Sequence, residues 1–264
     1  MNDALLKQLA ELESRYPWKS LTVSDHEWRW LDTGGNGKTV VLLPGSVGDG
    51  AMFVSTLLSL GEQLRLVAVT YPADPDAESL ADGLAQLMNH LELDSATVVG
   101  SSFAAYWAQH FALRHPSRVE ALVIGNGFTD GSDLADNPLF EKKYVEEISS
   151  GTLHAEWLER VRNAPVSDLV RLQENMLANR QSPDNLHARF LGVVRSTPCP
   201  ALPISPSRIT VLDCEDDGLI PPAARARLRT QHPDATHVTL KHGGHYPHLL
   251  NPKEYEALLL RCIN

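Results

Sequence analysis

The chain has 264 residues and a formal net charge of −10, from 23 basic and 33 acidic side chains. Since domains commonly hold about 150 residues, this length fits one large domain or two small ones. The acidic excess carries no stripe of Lys and Arg, so we expect neither nucleic acid nor an anionic membrane as a partner. The 3 cysteines form no spaced framework, and the charged start is unlike a signal peptide. We therefore expect a cytoplasmic protein without a membrane span.

The first half of the chain predicts a helix followed by alternating strands and helices. Four leucines at helical spacing predict the first helix: Leu5, Leu6, Leu9 and Leu12. Residues 21–31 predict one or two strands, and a glycine-rich turn follows at 34–37. Short apolar runs then predict strands at 39–43, 66–71, 96–100 and 119–125, separated by helical patterns at 51–64, 76–93 and 103–115. Continuous apolar strands are typical of a parallel sheet covered on both faces, which predicts a doubly wound α/β domain.

A helical segment interrupts this alternation. Helical patterns without strands follow one another around 140–148, 153–161, 166–177 and 185–194, and a proline-rich run closes the segment. The alternation then resumes with strands at 208–213 and 237–241 and helices at 222–231 and 252–262. We predict one core domain formed by residues 1–127 and 207–264, with a helical cap or lid inserted at 128–206.

Several apolar residues of the predicted cap suit an acyl or aromatic group of a substrate. They are Phe140, Trp157, Leu158, Met176, Phe190 and Leu191. Each of them also suits packing within the cap, and the sequence does not decide between these roles.

A serine lies where the third buried strand runs into a helix. Gly100 precedes Ser102 by two residues and Ala104 follows it by two, which is the spacing of a nucleophile elbow. Small residues at both positions let strand and helix approach closely at the sharp turn. The alternative is that Ser102 merely caps the helix, a role that serine favours.

Candidate partners of this serine follow in the later loops. A serine hydroxyl needs an adjacent base, which in turn needs an orienting carboxylate. Asp216 and Asp217 follow the strand at 208–213, and three histidines follow the strand ending at 241: His242, His245 and His248. Groups at the carboxyl ends of parallel strands meet at one edge of the sheet. The order Ser, Asp, His along the chain therefore predicts a catalytic triad with Ser102 as nucleophile.

The motifs G-S-S-F-A, C-E-D-D-G-L-I-P and G-G-H-Y-P resemble the elbow, acid and histidine motifs of the α/β-hydrolase superfamily. The resemblance covers almost the whole chain from about Trp28. It implies an α/β-hydrolase fold, with Asp217 as the triad acid and His245 as the base. A shift of one residue leaves Asp216 as the alternative acid. The other two histidines of the loop are interpreted as structural or rim residues.

An oxyanion hole requires two backbone N–H groups directed at the developing charge. The resemblance implies that one comes from Phe103, directly after the nucleophile. The second is expected from the loop after the first parallel strand, where Ser46 is the choice and Val47 the alternative. This glycine-rich loop lacks the spacing of a phosphate-binding loop. We expect no metal site, because the histidine spacing does not match a zinc-binding helix. We also expect no cofactor, since triad chemistry requires none.

Longer stretches, LLPGSVGDGAMF and LKHGGHYPHL among them, are similar to maspardin-like α/β hydrolases. These proteins are regarded as binding partners of other proteins, so more than one function stays open. The first is a serine esterase acting on a small, largely apolar ester, thioester or lactone. The alternatives are a non-enzymatic binding protein with a protein partner, and non-hydrolytic use of the same triad. The sequence leaves the natural substrate and the oligomeric state open.

Overall fold

The computed structural model describes residues 3–263, in which short strands and helices alternate. The strands are β1 (Lys19–Val23), β2 (His26–Asp32), β3 (Thr39–Leu43), β4 (Arg65–Thr70), β5 (Ala96–Ser101), β6 (Val119–Gly125), β7 (Ile209–Cys214) and β8 (Thr236–Leu240). The helices of the core are α1 (Ala4–Arg15), α2 (Val54–Leu60), α3 (Ala77–His90), α4 (Phe103–Arg114), α9 (Pro222–Gln231), α10 (Pro247–Leu250) and α11 (Pro252–Ile263). Four further helices lie between β6 and β7: α5 (Lys142–Glu147), α6 (Ser150–Asn163), α7 (Asp168–Asn179) and α8 (Pro183–Arg195).

The eight strands form one sheet in the order β1-β2-β4-β3-β5-β6-β7-β8. The first two strands are antiparallel to their neighbours, and β3 to β8 are parallel. Parallel strands place all of their carboxyl ends at the same edge of the sheet. The loops after β3, β5, β6, β7 and β8 therefore meet at that edge.

Alternate residues of the strands pack on opposite faces of the sheet. In β3, Val41 and Leu43 belong to the apolar cluster that includes residues of α3 and α4. Val40 and Leu42 belong to the cluster that includes residues of α1, α2 and α11. Because both faces are covered, inner strands such as β3 and β4 consist mainly of buried apolar residues, and the predicted doubly wound fold is confirmed.

Two helices differ from the sequence prediction. The helix expected over 51–64 begins with a 3₁₀ turn at Gly50–Phe53 and ends at Leu60. The short helix α10 lies where no helix was predicted, because four residues are too few to show a helical period. Within residues 3–263, every helix is too short or too polar to span a lipid bilayer.

Residues 128–206, which lie between β6 and β7, are called the helical insertion below. Its helix α6 contacts both α7 and α8, α8 also contacts α4, and α7 also packs on α1 of the core. Arg180, at the end of α7, pairs with Glu13 of α1 and with Asp49, at N···O distances of 2.7 and 2.8 Å. The insertion is therefore attached to the core through both packing and ion pairs.

Candidate active site

Ser102 lies in the sharp turn between β5 and α4. Its backbone has φ of 55° and ψ of −120°, a conformation that residues other than glycine rarely adopt. The Ser102 amide donates a hydrogen bond of 2.9 Å to the Gly125 carbonyl of β6. Within the described part of the chain, the Ser102 hydroxyl caps no amide of α4. The strained turn thus holds this side chain without giving it a helix-capping role.

The close crossing of strand and helix explains the small residue two positions before the serine. A Cβ atom at Gly100 would lie 2.3 Å from the backbone carbonyl oxygen of Ala104. No side chain fits in that space unless the backbone shifts. The predicted elbow geometry requires this approach.

Asp217 and His245 are in direct contact. The Nδ1 atom of His245 lies 3.0 Å from Oδ2 of Asp217, and both side chains are largely buried. The other oxygen, Oδ1, accepts the amides of Leu219 and Ile220 at 2.8 and 3.1 Å. The loop after β7 therefore fixes the carboxylate, and the carboxylate orients the imidazole.

The environment of Asp217 keeps its carboxyl group ionised. Burial acts to raise the pKa of Asp217, but the hydrogen bonds from His245 and Asn126 outweigh it and hold the pKa at about 2. A carboxylate accepts hydrogen bonds only, so the proton between the two side chains belongs to Nδ1 of His245. This tautomer leaves Nε2 as a proton acceptor.

Asp216, the alternative acid, has a different set of contacts. Its carboxylate accepts the amides of Gly244 and Gly243 at 2.8 and 3.3 Å. Its slight burial opposes the effect of these two bonds, which nevertheless hold the pKa of Asp216 below its usual range. Asp216 shapes the histidine loop, whereas Asp217 is the acid that contacts His245.

The other two histidines of the loop lie in contrasting environments. The side chain of His242 is 84% exposed and 4.0 Å from Asp216. His248 is buried in α10, where its ring lies 4.6 Å from that of Phe53, and burial lowers its pKa to about 3. Neither residue bonds to Asp217 in the structure described here, and His248 is a packing residue.

Asn126, directly after β6, is a site residue that sequence reasoning missed. Its Nδ2 atom donates to Oδ2 of Asp217 at 2.8 Å and to the carbonyl of Gly244 at 3.1 Å. Its backbone has a positive φ of 47°, and its amide donates to the Leu212 carbonyl of β7. The available signal was its place after the strand next to β5, at the edge where the other groups meet.

The loop after β3 lies beside the serine. A Cβ atom at Gly45 would lie 2.9 Å from Cβ and 3.6 Å from Oγ of Ser102. The hydroxyl of Tyr71 donates to the carbonyls of Pro44 and Gly45 at 2.9 and 3.1 Å. On the other side, Phe103 is the first residue of α4, where backbone N–H groups have no partner within the helix.

The apolar residues of the insertion pack against one another. Phe140 stacks on Phe190 at 5.2 Å, and Trp157 meets Phe190 edge-on at 5.0 Å. Trp157 also lines a cavity of about 490 Å³ between α5 and α6. Met176 is buried next to Gly48, while Leu158 and Leu191 are half-buried. The three aromatic residues therefore pack within the insertion, which is one of the two roles that the sequence left open.

Comparison with known proteins agrees with this geometry. The model of a family described as "Alpha/beta hydrolase family" matches residues 40–258. The chain belongs to the alpha/beta hydrolase family, and the family and fold predicted from its motifs are confirmed.

Two curated relatives are similar over most of their length. A putative carbamate hydrolase, RutD, from Pantoea ananatis is 26% identical over 85% of this chain and 88% of the relative. Maspardin from Homo sapiens is 26% identical over 90% of this chain and 80% of the relative. The maspardin-like resemblance of the motifs thus extends across the sequence.

Solved structures share the fold at lower identity. A mutant of the N-acyl homoserine lactonase AidH has a TM-score of 0.71 and 19% identity, and the match covers 93% of this chain and 95% of that chain. A thermophilic esterase from Thermogutta terrifontis has a TM-score of 0.73 and 21% identity, covering 94% and 99%. At this level of identity the likeness concerns the fold.

Proposed function

We propose that this protein is a serine hydrolase that cleaves a small, largely apolar ester, thioester or lactone through an acyl-enzyme. The observation that carries the proposal is the contact between buried Asp217 and Nδ1 of His245, at the sheet edge that also holds Ser102. This arrangement supplies the base and the orienting acid that a serine nucleophile requires.

In the proposed mechanism, Nε2 of His245 takes the hydroxyl proton of Ser102 as Oγ attacks the substrate carbonyl. The amides of Phe103 and Ser46 donate to the oxyanion of the tetrahedral intermediate. When the intermediate collapses, His245 returns the proton to the leaving group, and Ser102 retains the acyl group. Water, activated by His245, then releases the acid and regenerates the enzyme. The protein supplies every group that these steps use, so the proposal includes no cofactor or metal.

The substrate class rests on the chemistry of the site and on the relatives. The names of the relatives include a carbamate hydrolase, a lactonase and an esterase. The three reactions that these names describe all begin with attack on a carbonyl carbon that bears a heteroatom leaving group. The helical insertion acts as a cap, whose apolar side chains favour an acyl or aromatic group in a small-molecule substrate. The compartment proposed from the sequence is the cytoplasm.

Turnover of a chromogenic ester panel tests this function. We expect purified protein to hydrolyse short-chain p-nitrophenyl esters, and Ser102→Ala and His245→Ala each to lose at least about 10³-fold in kcat, because triad members act as a unit. Comparing turnover of a carbamate and a lactone with that of the esters shows which type of bond the protein cleaves fastest. His242→Ala is the matched control, since this exposed histidine of the same loop should retain wild-type activity.

Similarity to the maspardins favours a second candidate, a non-enzymatic protein that binds other proteins. The two candidates predict opposite results on the panel. Absence of turnover by the wild type, or equal turnover by wild type and Ser102→Ala, would contradict the hydrolase and favour the binding protein. If the wild type converts the ester to a product other than the free acid, and the triad variants do not, the triad has a non-hydrolytic use.

A further inference from the structure

Two side chains of the helical insertion hold the loop that follows β3. Gln181, just after α7, donates from Nε2 to the Ser46 carbonyl at 2.8 Å and accepts the Gly48 amide on Oε1 at 2.8 Å. Arg189 of α8 donates from Nη1 to the carbonyls of Gly45 and Gly48, each at 2.8 Å. The loop is thus fixed by the insertion as well as by Tyr71 of the core.

The burial of these two residues points to a role beyond stability. Gln181 is 6% exposed and Arg189 is 0% exposed. The Arg189 guanidinium lies 3.9 Å from the centre of the Tyr71 ring, but within residues 3–263 its Nε and Nη2 atoms have no hydrogen-bond partner. A buried guanidinium with unused donors costs free energy. Among the described residues, Arg189 offsets this cost through its bonds to the loop carbonyls and its contact with the Tyr71 ring.

Peptide geometry connects this contact to the site. In a planar trans peptide, the C=O and the N–H point in opposite directions. A hydrogen bond that holds the Gly45 carbonyl therefore fixes the direction of the Ser46 N–H, and one that holds the Ser46 carbonyl fixes that of Val47. Within the described chain, the Ser46 and Val47 amides have no acceptor, and Gly45 lies against Ser102. The hydrogen bonds to the Gly45 and Ser46 carbonyls therefore fix the Ser46 and Val47 amides, the two candidate oxyanion donors, in a loop that lies beside Ser102.

We infer that Gln181 and Arg189 are positioning residues of the oxyanion hole, through which the helical insertion controls transition-state stabilisation. The inference rests on the proposed hydrolase function. It assigns the insertion a role in catalysis itself, in addition to covering the substrate. Displacement of α7 and α8 from the core would leave Tyr71 as the remaining contact to the Gly45 carbonyl and would lower stabilisation of the oxyanion with the triad intact.

The test measures kcat and KM of two variants on p-nitrophenyl butyrate and on its thiono analogue, in which sulfur replaces the carbonyl oxygen. Gln181→Glu keeps the size and the acceptor for Gly48 but removes the donor to Ser46. Arg189→Lys keeps a cation but loses the planar donor set. We expect kcat on the ester to fall about 10- to 100-fold with KM within about twofold, since one oxyanion donor contributes about 10²- to 10³-fold.

The thiono analogue separates positioning from a general structural effect. Sulfur is a weak hydrogen-bond acceptor, so the wild type should prefer the oxygen ester, and this preference should fall about tenfold or more in both variants. Arg180→Met is the matched control, because it removes ion pairs between the insertion and the core without touching the loop carbonyls. We expect it to keep the wild-type preference and kcat within about twofold.

The outcomes distinguish the inference from the proposed function. If the wild type hydrolyses the ester and Ser102→Ala does not, but Gln181→Glu and Arg189→Lys keep the wild-type kcat and preference, the positioning role alone is wrong. An equal loss on both substrates, shared by Arg180→Met, also overturns it and assigns these residues to stability. If the wild type hydrolyses neither substrate, the hydrolase function fails and the inference fails with it.

Discussion

Asp217 is the side chain on which the electrostatics of the site depend. It is 6% exposed, and its two oxygens accept bonds from four groups: His245, Asn126 and the amides of Leu219 and Ile220. These contacts favour the charged form over the neutral one, which is why the pKa lies at about 2 instead of the usual 3.8. The charge that orients His245 is therefore also a source of stability.

The pH dependence of stability follows from this shift. Because the folded-state pKa is depressed, the contribution of Asp217 is fully present above about pH 4 and is lost as the pH falls through about 2. The shift corresponds to about 2 kcal/mol. We expect Asp217→Asn to unfold at lower denaturant concentration than wild type at pH 7, with a difference that shrinks as the pH falls below 4.

Denaturant titrations at several pH values check this prediction. Asp216→Asn is the matched control, because that neighbouring carboxylate is exposed and accepts the amides of Gly243 and Gly244. Its effect on stability should be smaller at every pH. A stability difference between wild type and Asp217→Asn that is equal at pH 7 and pH 3 would contradict the assigned environment.

At the scale of elements, the elbow depends on how closely β5 and α4 cross. The carbonyl of Ala104 occupies the position that a side chain at residue 100 would require. The strained backbone of Ser102 persists because β5 and α4 continue on either side of it and its amide is held by β6. The backbone geometry at Ser102 is therefore a property of three packed elements.

Gly100→Ala tests this crossing. The added methyl would meet backbone atoms at 2.3 Å, so we expect a loss of about 1–3 kcal/mol in the free energy of unfolding, together with lower esterase activity. Gly151→Ala is the control, because no atom of residues 3–263 lies within 4 Å of a Cβ at that position in α6. That variant should be as stable as wild type or slightly more so. Equal stability of Gly100→Ala and wild type would show that the crossing is looser than described.

At the scale of the whole molecule, the sheet order assembles groups that are far apart in the chain. The loops after β5, β6, β7 and β8 are neighbours. Asn126, Asp217 and His245 therefore meet at the sheet edge that also holds Ser102, although the helical insertion separates Ser102 and Asn126 from the other two in the chain. For this reason the order Ser, Asp, His along the chain could be used to predict that these residues lie at one edge of the sheet. Apolar runs identified the strands, and the rule for carboxyl ends identified the loops.

Other parts of the site depend on contacts that no local pattern records. Asn126 stands in a loop without a motif, and its role follows only from the distance to Asp217. Gln181 and Arg189 look like ordinary residues of an amphipathic segment until the insertion is placed on the loop at 44–48. The sequence also left Asp216 open as an alternative to Asp217. Either aspartate fits the acid motif when its alignment is shifted by one residue, but only the structure shows which one contacts His245.

In the proposed hydrolase, Ser102 is an activated nucleophile. The most direct measurement is reaction of the intact protein with a fluorophosphonate, followed by digestion and mass spectrometry to locate the adduct. We predict one adduct per chain, on the hydroxyl of Ser102, and none in Ser102→Ala. An adduct on another residue, or no adduct in a folded wild-type protein, would contradict this role of Ser102.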